Sequence, residues 1–212
     1  MKKVVLALMC MCLVSMTQAL SINNGDFEAG GGENLPDVTG WYDNNTGGFW
    51  EGAWQTNASW ITTNGTNQVV LSGMGVGYLY QSIGLSAGEA SIGVKFDWGQ
   101  PNDTGAGRID TVVVSLYAGN GVFVGGDGID IRAAGLTLLD TASYTTPASL
   151  GGGVMFTDIA ALSVGVPAGT ELFLMFDSGA EWPVIDNVQI IPEPATMVLV
   201  GLGALLLRKR QA

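Results

Sequence analysis

Residues 91–98 read SIGVKFDW, and this stretch decides the class of fold. Its apolar side chains occupy every second position, at Ile92, Val94, Phe96 and Trp98. Successive side chains of a β-strand point to opposite faces of its sheet. The period of two therefore predicts a half-buried strand, with the residues in between facing away from the core.

Other stretches predict further strands. Residues 111–117, TVVVSLY, are rich in β-branched side chains and predict a strand buried on both faces at its start. The remaining candidates are residues 25–29, 40–43, 68–71, 77–83, 121–124, 129–133, 171–177 and 184–191, while residues 155–162 fit either a short strand or a turn of helix. Clusters of Gly, Asn, Asp and Ser separate them, as turns require. Many strands joined by Gly-rich turns predict an all-β, antiparallel β-sandwich over residues 20–191.

The N-terminal segment has the organisation of a secretory signal. Lysines at positions 2–3 precede an apolar run over residues 4–16, and residues 17–19 place small side chains where signal peptidase inspects the chain. We expect residues 1–19 to form a signal helix that signal peptidase removes, so that the mature chain begins at Leu20.

Two alternatives to a cleaved signal are disfavoured. An uncleaved anchor would need a longer apolar run. A lipoprotein signal would need a small residue before Cys10, where the chain has Met9. Cys10 and Cys12 both lie inside the signal, so the expected mature chain enters an oxidising compartment without a disulfide.

The charge of the predicted domain is strongly acidic. Residues 20–191 contain three basic and eighteen acidic residues, a net charge near −15. This balance argues against nucleic acid as a partner, since phosphate binding needs basic side chains. It suits divalent cations, neutral sugars and solubility outside the cell. The chain contains no histidine, so the commonest general base and transition-metal ligand are missing.

The C-terminal part combines three segments with different properties. Pro192, Glu193 and Pro194 interrupt regular structure, because each proline fixes φ and lacks an N–H. Residues 195–207 form an uncharged apolar run, for which we expect a short transmembrane helix of about 20 Å. The cations Arg208, Lys209 and Arg210 follow and should stay on the cytoplasmic side.

This order of PEPAT, an apolar run with glycines and RKR resembles the PEP-CTERM sorting signal, over residues 192–212. The resemblance implies an exported bacterial protein that an exosortase cuts near the triplet at 192–194. The protein would be anchored transiently in the inner membrane and then reach the cell surface or an extracellular matrix, often with exopolysaccharide. The basic residues 208–210 would belong to the same signal. A plain C-terminal membrane anchor is the alternative.

Two short segments at opposite ends of the predicted domain, NGDFE at residues 24–28 and IDNV at residues 185–188, resemble jelly-roll carbohydrate-binding modules and galactose-binding-like sandwiches. The resemblance implies a jelly roll whose first and last strands lie close together and hold a structural calcium. Glu28 and Asp186 would be the side-chain ligands, with Asp26 a further candidate, and calcium suits such hard oxygens. The alternative is a turn-forming segment and an Asp that caps a loop.

The tryptophans suggest a second kind of site. Trp50, Trp54 and Trp60 lie in an Asn-, Thr- and Gly-rich stretch with few aliphatic neighbours, whereas Trp41 and Trp98 are expected in the core. Exposed indole rings stack on sugar rings, and nearby amides donate hydrogen bonds. The stretch is therefore a candidate glycan platform, unless these rings merely cover one end of the sandwich.

No catalytic signature accompanies these features. The chain has no GxSxG, P-loop or dinucleotide-binding fingerprint, and its carboxylates form no recognisable catalytic pair. We expect a non-catalytic surface protein with a structural or adhesive role in the envelope or its polysaccharide. A dedicated carbohydrate-binding module is the alternative, and a secreted glycosidase is less favoured.

Overall fold

The computed structural model describes residues 20–29, 38–44, 53–56, 67–71, 77–102 and 105–191, with the backbone alone for residues 53–56. Its regular elements are ten strands: β1 (Tyr42–Asp43), β2 (Ala53–Thr56), β3 (Gln68–Leu71), β4 (Tyr78–Leu85), β5 (Ser91–Gln100), β6 (Thr111–Ala118), β7 (Thr137–Thr145), β8 (Val154–Ser163), β9 (Glu171–Ala180) and β10 (Val184–Ile191). Within these ranges no residue is helical. The expected signal helix and transmembrane helix lie outside the described residues, and no described helix is long and apolar enough to cross a membrane.

The strands form two five-stranded sheets. The first sheet has the order β1-β4-β9-β6-β7, and the second has the order β2-β3-β10-β5-β8. Every neighbouring pair runs antiparallel. The predicted all-β, antiparallel β-sandwich is therefore confirmed.

The core lies between the sheets and follows the alternation seen in β5. The side chains of Ile92, Val94, Phe96 and Trp98 are buried in it. Phe96 makes edge contacts with Phe176 of β9 and Tyr144 of β7, at ring-centroid distances of 5.3 and 5.2 Å. These contacts join the two sheets through aromatic rings, whose burial contributes about 1.5–3 kcal/mol for a side chain of this size.

Burial along β6 differs from the prediction. Thr111 and Val113 are only half-buried, whereas the strand is buried at its end, from Ser115 to Ala118. The cover comes from residues 119–136, which we call the strap. The strap leaves the end of β6 and packs back over the outer face of the first sheet, against Tyr117 among others.

Three predicted strands do not form. Residues 25–29 turn instead, because Asn24 and Phe27 adopt positive φ values of 49° and 52°. Residues 121–124 and 129–133 belong to the strap, whose residues form no strand. Residues 155–162, which fitted either a strand or a helix, lie within β8.

Both ends of the sandwich domain emerge at the same place. The Ser21 N–H donates to the Ile83 carbonyl at 2.9 Å, near the end of β4. Ile191, the last residue of β10, pairs with Gly93 near the start of β5. We call this the proximal end; the loops 86–90 and 164–170 also lie there, joined by a hydrogen bond from Val164 N–H to the Ala90 carbonyl.

Candidate functional site

The early and late segments singled out in the sequence meet in space. The Val188 N–H donates to the Gly25 carbonyl at 2.7 Å. A Cβ added at Gly25 would lie 2.0 Å from the Val188 carbonyl oxygen, so only glycine permits this approach. The early segment is a turn and not a strand, yet it lies against β10 as the resemblance implied. We call this contact region the junction.

The candidate calcium ligands have defined partners at the junction. The Glu28 carboxylate accepts the Asn67 backbone N–H at 2.9 Å and its side-chain amide at 3.0 Å. Asp186 is fully buried and accepts the Asn187 N–H at 2.6 Å. Asp26 is exposed and accepts the Glu28 N–H at 3.5 Å.

These carboxylates alone do not complete a calcium site. Calcium takes six to eight oxygens, and no group of three acidic, His or Cys side chains with metal-binding spacing occurs within the described residues. Backbone carbonyls and water would have to supply the rest. The calcium site stays a prediction.

Gln68, next to this region, was not singled out by the sequence. It begins β3 directly after Asn67, and its side chain is fully buried. Among the residues that the structure describes, neither its Oε1 nor its Nε2 has a hydrogen-bond partner. An unsatisfied buried amide costs about 1–3 kcal/mol. In the sequence QVVL it looks like an ordinary polar residue at the start of a strand, and no local pattern marks it.

A chain of polar side chains crosses from β8 to β10. Asp97 is almost fully buried and accepts the Thr157 hydroxyl with one oxygen. Its other oxygen accepts the Asn187 amide at 3.1 Å. The Asn187 Oδ1 in turn accepts the Gln189 amide. This arrangement holds Asn187 in the left-handed conformation, φ 52°, where the register of β10 shifts.

The structure tests the predicted positions of only some of the tryptophans. Trp41 and Trp98 are 5% and 4% exposed, so their predicted core positions are confirmed. Trp54 lies in β2, where its backbone pairs with Val70. Trp50 and Trp60 lie outside the described residues, and the glycan platform stays a prediction.

Under the strap lies an aromatic cluster that the sequence did not reveal. Its buried members are Tyr78, Tyr80, Tyr117, Ile131, Leu136, Phe173 and Met175. The Tyr80 hydroxyl donates to the Gly126 carbonyl at 2.9 Å and accepts the Gly126 N–H at 3.1 Å. Phe123 packs edge-on against Phe173 at 5.2 Å. The strap therefore fills the outer face of the first sheet with its own side chains.

Arg132 of the strap sets the electrostatics of this face. Its guanidinium bonds Asp130 at 2.8 Å and Asp177 at 3.0 Å, and lies 4.9 Å from the centre of the Tyr78 ring. The hydrogen bond from Arg132 lowers the pKa of Asp130. Burial raises the pKa of Asp177, and this effect is larger than the lowering by Arg132. Burial also raises the pKa of Tyr78 to about 12.

The folded domain is similar to solved structures at low sequence identity. A cyclase from Fischerella sp. TAU is 14% identical, with 82% of this chain and 98% of that chain covered and a TM-score of 0.58. The Stig cyclase Fisc from Fischerella sp. TAU, in complex with (3Z)-3-(1-methyl-2-pyrrolidinylidene)-3H-indole, is 16% identical, with 83% and 98% covered and a TM-score of 0.56. At these identities the likeness shows the fold alone.

A further solved structure is similar at a lower TM-score. A structure described as CBM4 is 17% identical, with 82% of this chain and 100% of that chain covered and a TM-score of 0.46. No curated protein matches the chain.

The tail has a match of its own. Residues 191–211 match the family model described as the PEP-CTERM protein-sorting motif, as the resemblance of the Pro-Glu-Pro triplet and its basic end predicted. The motif implies an exported, envelope-associated protein that an exosortase processes. The chain thus joins an antiparallel β-sandwich to a PEP-CTERM sorting motif.

Proposed function

We propose that the protein is a non-catalytic, structural or adhesive component of the bacterial envelope or its exopolysaccharide matrix. The observation that carries this proposal is the sorting motif at residues 191–211, which begins at the last residue of β10. The acidic charge of residues 20–191 supports it, since such a domain is soluble outside the cell and compatible with neutral sugars.

The proposed route uses three parts of the chain. Signal peptidase removes residues 1–19, and the sandwich at residues 20–191 folds outside the inner membrane. Residues 195–207 then hold the precursor in that membrane, with the basic residues 208–210 on the cytoplasmic side. The triplet at 192–194 emerges on the opposite side, where an exosortase reaches it and releases the domain to the surface.

The test is the mass of the surface protein in a host that contains an exosortase. Wild-type protein should begin at Leu20 and lack the C-terminal segment. Glu193→Ala should leave a larger precursor in the inner membrane, whereas Val122→Ala, on the exposed part of the strap and outside the sorting motif, should be processed normally. Deleting residues 195–212 should release a soluble domain. An intact Ala212 on the surface protein would mean that the tail is an ordinary anchor.

Support for a non-catalytic role comes from the state of several carboxylates. Asp110 is fully buried and bonded to Arg108 at 2.7 Å, and it also accepts the Trp182 N–H at 2.8 Å. Asp130 and Asp177 share Arg132. These carboxylates fix loops to the sandwich. Turnover of a polysaccharide that a single carboxylate substitution abolishes would favour a glycosidase instead.

A dedicated carbohydrate-binding module is the second candidate. The observation that favours it is the position of Trp54 in β2, which forms one edge of the second sheet. On a glycan array, selective binding that Trp50→Ala or Trp54→Ala removes would support this module. Val122→Ala, on the exposed part of the strap, is the matched control and should bind as the wild type does.

A further inference from the structure

The sorting triplet follows the folded domain without a linker. β10 ends at Ile191, and Pro192 comes directly after it. Proline has no N–H to donate to a ladder, so the paired strand stops there. One strand residue advances the chain by only about 3.3 Å. An enzyme that binds the triplet in extended form would therefore meet the body of the sandwich immediately upstream.

Two loops of the sandwich lie near Ile191, where the chain leaves the domain. Ile191 pairs with Gly93 at the proximal end, two residues from the pair between Ser91 and Ser163. The loops 86–90 and 164–170 are bonded together beside it, through Gly169 N–H to the Ser86 carbonyl at 2.8 Å among other contacts. These loops lie at the end of the sandwich where β10 stops, one residue before the triplet begins in the sequence.

The end of β10 is held by one neighbouring strand. Residues 189–191 pair with β5, opposite Lys95, Val94 and Gly93. β3, on the other side of β10, pairs only with Val184 and Ile185. In the described part of the chain, no backbone hydrogen bond joins residues 189–191 to any element other than β5.

An irregularity divides this end from the rest of the strand. The register shifts between Asp186 and Gln189, and Asn187 has a positive φ of 52°. Val184, Ile185 and Asp186 are fully buried before the shift, whereas Gln189 is exposed and residues 190–191 are half-buried after it. Residues 189–191 can therefore leave β5 at the cost of uncovering Ile190, which packs against the core, while the buried half of β10 keeps its place.

We propose that residues 189–191 detach from β5 to complete the docking segment, so that the exosortase binds residues 189–194 as one extended strand. This inference rests on the proposed function. Detachment adds about 10 Å of extended chain between the sandwich and the triplet, at about 3.3 Å per residue. The freed backbone groups are available for strand addition, a common mode of peptide recognition. The cut itself is chemistry of the sorting enzyme.

A disulfide across this part of the sheet tests the proposal. A Cβ added at Gly93 lies 3.2 Å from the Ile191 Cβ, close to the roughly 3.5–4.5 Å of disulfides. Gly93→Cys combined with Ile191→Cys should lock the strand, since the expected mature chain has no other cysteine. Processing of the full precursor should slow by about tenfold or more, because the cut requires the open form. Reduction of the disulfide should restore it.

Three further variants distinguish detachment of residues 189–191 from general effects of a disulfide on folding and processing. Thr111→Cys with Thr145→Cys staples β6 to β7, where the two hydroxyls lie 3.1 Å apart, and should be processed as the wild type is. Lys95→Cys with Gln189→Cys, a directly opposed pair, provides a second lock if the first does not fold. A flexible linker of about ten residues inserted after Ile191 should restore processing of either locked protein.

The outcomes are distinct. Slow processing of the locked protein, with rescue by reduction and by the linker, supports detachment. Processing of a locked protein at the wild-type rate, or failure of the linker to rescue it, overturns detachment. If the wild-type chain itself keeps Ala212 at the surface, the proposed function fails instead.

Discussion

The Gly25 carbonyl accepts the Val188 N–H at 2.7 Å, which fixes the first turn of the domain against its last strand. Gly25 allows this contact through its missing side chain, since a Cβ there would approach the Val188 carbonyl oxygen to 2.0 Å. Because the colliding atom belongs to the backbone of a paired strand, it has little room to move. The junction therefore depends on glycine for space.

Gly25→Ala should destabilise the fold by about 1–3 kcal/mol, the usual cost of overpacking. Urea unfolding of the domain measures this change. Gly105→Ala is the matched control, because a Cβ at Gly105 meets no atom within 4 Å. Equal stability of the two variants would show that the junction opens without cost.

Chelation of calcium should lower the melting temperature if Glu28 and Asp186 hold the ion, since a ligand that binds only the folded state stabilises it. Glu28→Gln and Asp186→Asn should each abolish the response to chelator. Glu181→Gln, an exposed residue, should keep it. A wild-type melting curve that does not change in chelator would rule the site out and leave the fold unaffected.

Gln68→Met should raise the stability of the domain by about 1–2 kcal/mol, because it removes an unsatisfied buried amide and keeps the shape of the side chain. Gln100→Met should lower stability instead. The Gln100 amide is equally buried but donates to the Arg108 carbonyl at 3.0 Å and the Thr146 hydroxyl at 2.9 Å. Urea unfolding compares the pair. A loss of stability in Gln68→Met would indicate that the amide has a bound ligand in solution.

Stability should fall in alkaline solution as the unfolded tyrosines ionise. Burial raises the pKa of Tyr78 to about 12, and it raises the pKa of Tyr80 and Tyr117 as well. An unfolded tyrosine ionises near pH 10. A raised pKa contributes stability that is complete below the unfolded value and is lost as pH rises through the folded value.

Tyr78→Phe should reduce this pH dependence, because phenylalanine has no group to ionise. Urea unfolding at about pH 9 and about pH 11.5 measures the loss in each protein. The phenolate absorbance of the folded wild type should likewise appear late in an alkaline titration. An identical loss of stability in both proteins would contradict the prediction for Tyr78.

Strands with a local pattern could be predicted from the sequence. Residues 184–191 and 68–71 coincide with β10 and β3, and the alternation over residues 91–98 lies within β5. In β5 the apolar positions repeat every second residue, whereas β3 and β10 are short runs rich in Val and Ile, and both patterns are local. β7 was not predicted, because this edge strand is rich in Thr and Ser and buries few of its side chains.

The two strands predicted within the strap were wrong for a physical reason. Val122 and Val124 flank Phe123 at alternate positions as in a strand, yet they are 82% and 79% exposed. Ile131 of the same segment is fully buried against the first sheet. Which residues of a long connection are covered depends on the face it folds across, and that information is not local.

In the candidate site, too, some features could be predicted from the sequence and others only from the structure. The acidic charge, the sorting triplet and the candidates Glu28 and Asp186 could all be recognised from residue types and their order. The orphaned amide of Gln68 and the one-sided pairing of residues 189–191 became visible only in three dimensions.

By itself, the sequence determined the all-β class and the sorting address, since alternation, proline breaks and charge clusters act over a few neighbouring residues. Tertiary structure alone decided that Gly25 meets Val188, that the strap fills an outer sheet face, and that β10 runs to the residue before the triplet's first proline without a spacer. These outcomes depend on close packing between segments far apart in the chain, where the space left by one backbone determines what the other can do.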